Sequence, residues 1–488
     1  MSDLLSHLRL PEHAQLQALT VTGLKLDSRK VTPGDAFIAV PGYQTDGREY
    51  ISAAIAAGAR VVLSEGHKLA VQEHAGVPVL SIPNLRSQVS DIAGAFFDQP
   101  SRKLRLCGVT GTNGKTTVSH LLGQLWHAIE PPAAVMGTVG SGIVSQLIPE
   151  ALTTPDGVTV QQRLASFVAE GARSVVMEVS SHALDQGRVE GLHFHTVIAT
   201  NVSRDHLDYH GTMKAYAAAK GRLFTDFPAA VRVFNADDKI VAGWGSLDDY
   251  WYSLQPSLAG RARTLVASNI QYTHSGTRLT LNWEHESVRV ESPLLGAFNV
   301  SNLLAAATAV LANKVPLSRV AELIEHLQSV PGRMETFALP NGALAIVDYA
   351  HTPDALQHVL QAARNHCSGK LWALFGCGGD RDRGKRPQMG QVAAQYADIS
   401  VVTDDNPRTE APEQIIDDII SGMPHEAEII RQPGRAGAVQ FALQSAKHGD
   451  VVVCAGKGHE TYQLIGSRTE HYDERAYVAQ LAEDLRHD

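Results

Sequence analysis

At about 100–200 residues per domain, the 488-residue chain has room for about three domains, each able to bury a core without metal or disulfide staples. Its 42 Lys and Arg stand against 51 Asp and Glu, and the resulting formal charge of -9 argues against a nucleic-acid partner. Charged residues at 19% with hydrophobic residues at 44% exclude wholesale disorder, and four cysteines without a C-x-x-C pair exclude a disulfide framework or a Cys-based zinc site. The first residues lack a basic segment followed by an apolar core, and no apolar run is long enough to span a bilayer. A cytoplasmic protein with no membrane span is expected.

Short β-branched runs alternate with Ala-rich stretches, which predicts α/β domains with mainly parallel sheets. The first stretch carries predicted strands over 36–40, 60–63 and 79–83, with helices over 51–57 and 88–97. A strand over 104–109 follows, then a Gly-rich turn and a helix over 118–129. Further strands are predicted over 174–179, 196–200 and 232–234. Residues 278–283 and 287–291 alternate apolar with polar around a polar turn, the pattern of an antiparallel hairpin, and an Ala-rich helix spans 300–312. Beyond Pro331-Gly332 come strands over 344–347, 371–375, 399–403, 428–431 and 451–454, with helices over 353–364, 388–396, 412–421 and 435–446 between them. That series predicts a Rossmann-like, doubly wound domain of five strands. Domain spans of 1–88, 89–330 and 331–488 follow.

The turn after the strand at 104–109 reads Thr110-Gly111-Thr112-Asn113-Gly114-Lys115-Thr116-Thr117. A strand, a Gly-rich turn, Lys-Thr and a helix are the parts of a phosphate-binding loop. Lys115 would place a point charge at the β- and γ-phosphates of ATP, and the Thr116 hydroxyl would face Mg²⁺. The strict spacing is not kept, since Val109 stands where an earlier glycine belongs. The absence of an N-K-x-D sequence disfavours a regulatory GTPase. Gly376 to Arg381 approximates a dinucleotide fingerprint, but Arg381 occupies its third glycine position, which disfavours NAD.

With that loop, the chain resembles the Mur ligases, ATP-dependent amino-acid-adding enzymes of peptidoglycan precursor synthesis. Further blocks carry the resemblance in order: Met177-Glu178-Val179-Ser180-Ser181-His182, Asn201 to Asp208, Gly296 to Asn302, Pro331-Gly332-Arg333-Met334-Glu335 and Asp348-Tyr349-Ala350-His351-Thr352-Pro353. The subgroup it implies adds the third peptide residue to UDP-N-acetylmuramoyl-L-alanyl-D-glutamate. Asp405-Asn406-Pro407-Arg408 is similar to the motif that selects meso-diaminopimelate. The resemblance implies an N-terminal UDP-binding domain, a central P-loop ATPase domain and a C-terminal amino-acid-binding domain that close on one another. It also implies an acyl phosphate on the D-glutamyl γ-carboxylate, and a monomer is expected.

Residue roles follow from the same resemblance. Gly111 to Thr117, Asn299, Arg333, Asp348 and His351 would bind ATP. Thr116, Glu178, His206 and Lys220, the last as a carbamate formed from CO₂, would serve Mg²⁺, and Lys115, His206 and Lys220 would be catalytic. Leu26, Ser28, Tyr43, Gln44, Thr45, Thr153, Thr154, Ser180, Gln186 and Arg188 would hold the UDP substrate. Arg381, Asp405, Asn406, Pro407, Arg408, Gly456 and Glu460 would hold diaminopimelate, Glu460 pairing with its distal ammonium. Read without the family, Glu178 is a solvated strand-end acid, Lys220 a helix-surface lysine, His210 a loop or surface histidine, and Arg408 the cap of an Asn-Pro turn. Arg408 is the most informative residue. Diaminopimelate differs from lysine by one distal carboxylate, which a planar guanidinium binds through two hydrogen bonds. A folylpolyglutamate-synthase-like ligase is the enzyme rival and should lack the domain preceding the phosphate loop. A P-loop ATPase without a ligase step is the rival from another class.

Overall fold

A computed structural model describes residues 16, 19–42, 45–144, 146–150 and 152–485. They fall into two compact units, residues 1–251 with 308–313, and residues 252–307 with 314–488.

The first unit begins with a five-stranded sheet in the order Leu24–Lys25, Ala36–Ala39, Val61–Glu65, Val77–Ile82, Ala70–His74. All neighbours run parallel except the last pair, because a tight turn at Ala75-Gly76 folds Ala70–His74 back on Val77–Ile82. Ala36, Ile38, Leu63 and Leu80 pack beneath the helix Leu85–Phe96. The same unit holds a second array with neighbours Val231–Asn235, Thr196–Ala199, Arg105–Thr110, Ser174–Glu178, Ala133–Gly137 and Gly140–Ile143. The first five are parallel and Gly140–Ile143 is antiparallel. Arg105–Thr110 is flanked on both sides, so the turn that follows it emerges between the C-terminal ends of two other strands. In parallel sheets such positions are where ligands are met.

In the second unit the predicted hairpin is part of a three-stranded antiparallel meander, Thr264–Thr273, Gly276–Trp283 and Glu286–Ser292. The long helix Ala297–Ala312 follows it. The last sheet has the five expected parallel strands in the order Leu344–Asp348, Val451–Ala455, Leu371–Phe375, Ile399–Val402, Ile429–Arg431. To these the structure adds an antiparallel edge strand, Glu335–Ala338, which pairs with Leu344–Asp348. Strand alternation divides the side chains between two cores. Leu371, Ala373 and Phe375 face one core, while Trp372 and Leu374 face the other. Val451 and Val453 oppose Val452 and Cys454 in the same way. Both faces are therefore apolar, which explains continuous hydrophobic runs instead of alternation. Cys454 is core packing, and Cys107 and Cys377 are also buried, with burial pushing both thiols up to about 12. A final hairpin, Tyr462–Ile465 with Arg468–His471, and the helix Glu474–Asp484 end the described chain.

Arg435, at the start of the helix Arg435–Ser445, and Glu474 are both 0% exposed. Arg435 Nε donates to Glu474 Oε2 at 2.5 Å and Nη2 to Oε1 at 2.9 Å. A second bond from Nη2, to the Ala455 carbonyl, ties this pair to the strand Val451–Ala455. Arg435→Met leaves the buried Glu474 carboxylate without its counter-charge, the Tyr472 hydroxyl alone still bonding it, so denaturant unfolding is expected to report a loss of roughly 3–5 kcal/mol, and a loss below about 1 kcal/mol would contradict this role.

Candidate active site

The Gly-rich turn runs from Arg105–Thr110 into the helix Lys115–Ile129. Gly114 precedes the helix with φ +86° and no side chain caps it, leaving the first-turn N–H groups directed at the turn. Gly111 has φ +151°, and a Cβ there would stand 1.8 Å from Thr200 Oγ1. The turn is clamped by the segment after Thr196–Ala199. Thr200 Oγ1 donates to the Asn113 carbonyl at 2.6 Å, Asn113 N to Asn201 Oδ1 at 3.0 Å, and Ser203 N to Thr112 Oγ1 at 3.0 Å. Thr200 was not singled out from sequence, and Asn201 only as the first residue of the block Asn201 to Asp208, because their partnership with the loop exists only through sheet pairing.

Lys115 Nζ donates to the carbonyls of Gly111 and Thr112, each at 2.8 Å. Lys220 Nζ, from the helix Met213–Thr225, donates to the same Gly111 carbonyl at 2.7 Å and lies 4.6 Å from the Tyr216 ring centroid. Lys220 is 1% exposed and not a surface lysine. Burial, reinforced by the Lys115 charge, lowers its pKa to about 6. Glu178 ends the strand Ser174–Glu178 and is also 1% exposed, so it is not a solvated strand-end acid. It accepts from Thr116 Oγ1 at 3.1 Å, Thr138 N at 2.8 Å and Thr138 Oγ1 at 3.2 Å. Burial raises its pKa, partly offset by Lys115. A buried carboxylate beside two hydroxyls at the mouth of a phosphate-type loop is an oxygen donor set suited to a hard cation such as Mg²⁺.

His206 has φ +51° and immediately precedes the short helix Leu207–His210. Both rings meet His182, His206 at 4.8 Å and His210 at 5.5 Å between centroids. His210 also bonds Ser181 Oγ at 3.0 Å and lies 5.3 Å from the Tyr216 ring. The two histidines therefore share a cluster with His182, which burial and then its neighbours' charges hold below the ordinary imidazole range. Among the described residues no group of three or more His, Cys, Asp or Glu is placed to hold a metal by itself.

From this cluster a polar chain leads to the residues assigned to the UDP substrate. The Tyr209 ring lies 4.3 Å from His182, and its hydroxyl donates to Asp185 Oδ2 at 2.7 Å and accepts from Gln186 Nε2 at 3.1 Å. Arg188 binds Gln186 Oε1 through Nε at 2.9 Å and the Thr154 carbonyl through Nη1 at 2.9 Å. Thr154 is buried, donates to the Glu178 carbonyl and accepts from Ser180 N. Thr153 Oγ1 lies 3.0 Å from Thr138 Oγ1, and Ser180 Oγ caps the helix Ser181–Asp185. Gln186 also lines a cleft of about 660 Å³ with Pro41, Asn84, Arg86 and Glu190. In the first sheet, Leu26 packs against the core, Ser28 opens a 3-10 turn capped by Asp27, and the Thr45 carbonyl accepts from Gly42 N at 2.9 Å. Tyr43 and Gln44 lie outside the described residues.

In the second unit, Asn299 is nearly buried, donating to the Leu295 carbonyl at 2.9 Å and accepting from Asn302 Nδ2 at 3.2 Å. Asp348, at the end of its strand, accepts from Met334 N and Ala350 N, each at 2.8 Å. Arg333 lies over the Tyr349 ring at 5.0 Å, and its Nε is buried without a hydrogen-bond partner. His351 is exposed and bonds the Tyr349 carbonyl through Nδ1 at 2.8 Å. Asp348, Tyr349 and His351 thus gather at one strand end with Arg333.

Arg381 and Arg408 belong to two loops that bond each other. Arg408 has φ +52°, and its Nη1 donates to the Gly379 carbonyl at 2.9 Å and reaches the Asn406 carbonyl of its own Asn-Pro turn at 3.5 Å, so it bonds both that turn and the facing loop. Gly379 N donates to the Asn406 carbonyl, and Thr409 Oγ1 to Asp380 Oδ1. Arg381 is exposed beside them. Asp405, Asn406 and Pro407 are buried. Asn406 Oδ1 accepts from Leu464 N at 2.9 Å and from Lys457 Nζ at 3.1 Å. Gly456, φ +118°, leads into that lysine, whose ammonium also holds Glu460 Oε2 at 2.8 Å. Lys457 was missed because a lysine between two glycines gives no sign of burial.

Three family models match in succession: "Mur ligase family, catalytic domain" over residues 20–97, "Mur ligase middle domain" over 109–310 and "Mur ligase, glutamate ligase domain" over 332–458. A Haemophilus influenzae (strain 86-028NP) protein, UDP-N-acetylmuramoyl-L-alanyl-D-glutamate--2,6-diaminopimelate ligase, is 47% identical over 459 residues, covering 92% of this chain and 94% of that one. A solved structure of an enzyme with the same name aligns with a TM-score of 0.73 at 38% identity, covering 96% of each chain. Mycobacterium tuberculosis folylpolyglutamate synthase shares the fold at a TM-score of 0.59 and 17% identity, but covers only 76% of this chain against 92% of its own. Three consecutive models and a relative nearly half identical along almost the whole length place this chain in the Mur ligase family.

Proposed function

We propose that the chain is an ATP-dependent ligase that joins meso-2,6-diaminopimelate to the D-glutamyl γ-carboxylate of UDP-N-acetylmuramoyl-L-Ala-D-Glu, in the cytoplasmic stage of peptidoglycan precursor synthesis. The observation that carries the reading is the 47% identity to the Haemophilus influenzae ligase over 92% of the chain. The γ-carboxylate oxygen attacks the terminal phosphorus of ATP, releasing ADP and leaving an acyl phosphate. The diaminopimelate amine then attacks the acyl carbon, the amide bond forms, and phosphate and a proton leave.

Two anions must meet, so positive charge has to be concentrated where they do. Lys115 and the uncapped first turn of Lys115–Ile129 supply it for the phosphates. Thr116 and Glu178 would hold Mg²⁺, which when bound neutralises phosphate charge. Gln186 and Arg188 serve the UDP substrate, alongside Leu26, Ser28, Thr45 and Ser180. Arg408 and Arg381 serve the distal carboxylate of diaminopimelate, with Asp405 and Glu460 for its ammonium.

Lys220 is the residue we assign to carbamate formation. Only a neutral amine attacks CO₂, forming an N–C bond and releasing a proton. A pKa lowered to about 6 keeps the Lys220 amine mostly neutral at pH 7–8. The carbamate would bring an anion beside Lys115. In ¹³C-bicarbonate, the enzyme is expected to show a carbamate resonance that Lys220→Ala lacks. Activity should fall on CO₂ depletion and return with bicarbonate; full activity in depleted enzyme would remove the carbamate from the mechanism.

The reaction itself is tested by supplying meso-diaminopimelate and L-lysine separately with ATP, Mg²⁺ and the UDP-dipeptide, and weighing the product. Diaminopimelate incorporation is expected, and preferential lysine incorporation would overturn the role of Arg408. ATP hydrolysis indifferent to both substrates would return the chain to the simple ATPase class. Arg408→Lys keeps the charge but loses the planar fork, so it should give up on the order of 2–4 kcal/mol of discrimination, read as the ratio of kcat/KM for the two amino acids.

A further inference from the structure

Lys457 is 0% exposed in side chain, an extreme position for a lysine. It sits between Gly456 and Gly458, both with positive φ, in the turn after the strand Val451–Ala455. A Cβ at Gly458 would stand 2.5 Å from the Tyr349 Cβ, so the turn is held tight and the lysine is directed inward. Its ammonium donates to Glu460 Oε2 at 2.8 Å and to Asn406 Oδ1 at 3.1 Å, and stands 3.8 Å from Asp405 Oδ1 and 5.4 Å from the Tyr462 ring. Asn406 Nδ2 returns a bond to Glu460 Oε2 at 3.2 Å. Asp405 Oδ1 is buried without a hydrogen-bond partner.

The charges in this cluster are unequal. One ammonium faces two carboxylates, so one negative charge remains. Glu460 holds the lysine by a direct bond, while Asp405 keeps an oxygen in need of a donor. The charge left over in such a cluster suits one further ammonium. Beside it stand Arg408 and Arg381, which suit a carboxylate. An amino acid whose distal end carries both an ammonium and a carboxylate fits that pair of demands. A side chain ending in an ammonium alone fits only half.

We propose that Lys457 is a positioning and specificity-determining residue of the amino-acid pocket: it neutralises one of the two pocket carboxylates and, through Asn406, fixes the loop that presents Arg408. The inference rests on the diaminopimelate reading above. Without Lys457 the cluster carries two negative charges. That surplus repels the distal carboxylate of diaminopimelate but not the terminal ammonium of L-lysine.

The test compares wild type, Lys457→Met and Lys457→Arg by kcat/KM for meso-diaminopimelate and for L-lysine, with UDP-dipeptide binding measured on each variant as a folding control. Wild type must use diaminopimelate; if it does not, the functional reading fails and not this inference. In Lys457→Met the KM for diaminopimelate should rise at least tenfold, and the diaminopimelate-to-lysine ratio should fall at least tenfold, with UDP-dipeptide binding unchanged. Lys457→Arg keeps the charge and should hold the ratio within about threefold of wild type. An unchanged ratio in Lys457→Met, or an equal loss for both amino acids, would overturn the proposal. Should Lys457→Met fail to bind UDP-dipeptide, Lys457→Arg decides: a preserved ratio supports the proposal and a collapsed one ends it.

Discussion

Two ammonium groups, those of Lys115 and Lys220, converge on the single carbonyl oxygen of Gly111. Burial and the neighbouring Lys115 charge both disfavour a proton on Lys220, whose pKa is lowered to about 6. Much of the first unit follows from that constraint. A Cβ at Gly111 would collide with Thr200 Oγ1, the Tyr216 ring faces the buried Lys220 amine, and Glu178 lies deep enough for burial to raise its pKa.

The second unit solves the reverse problem. Its loop from Asp404 to Arg408 is held by donors from elsewhere in the chain: Asn406 Oδ1 accepts from Lys457 Nζ and Leu464 N, the Asp405 carbonyl from Gln463 Nε2, and Asp404 Oδ2 from Gly434 N. The hairpin that looks like an appendage to the last sheet therefore serves the loop. Arg408 N donates to Leu464 O, and Gly466 N donates to Arg408 O.

What the sequence disclosed followed distance along the chain. The phosphate loop was legible because its strand, glycines, lysine and helix are contiguous. The five parallel strands of the last sheet were legible because burial on both faces writes them as unbroken apolar runs. Lys220 was not legible from its helix, since Ala217-Ala218-Ala219-Lys220 has the look of an exposed face; only the packing of Met213–Thr225 under the Gly-rich turn buries it. Its role came from family resemblance and not from periodicity. Lys457 and Thr200 were hidden for a similar reason: Lys457 bonds Asn406, 51 residues away, as well as nearby Glu460, and Thr200 bonds Asn113, 87 residues away. The strands Ala70–His74, Gly140–Ile143 and Glu335–Ala338 went unseen because they are short and two of them are largely polar.

Those three strands share a position. Each lies antiparallel at the margin of an otherwise parallel array. An unpaired strand margin is a template on which another chain can add itself. Here Gly140–Ile143 is covered by the bridge from Ser141 to Ile148, Glu335 is tied to Arg475, and Ala70–His74 presents Gln72, Glu73 and His74 to solvent. The opposite margins of the first and last sheets are two and three residues long, Leu24–Lys25 and Ile429–Arg431, too brief to recruit a partner strand. A chain built on several parallel arrays, which fold slowly and expose their margins while doing so, thus carries its own guard against self-association at every one of these ends.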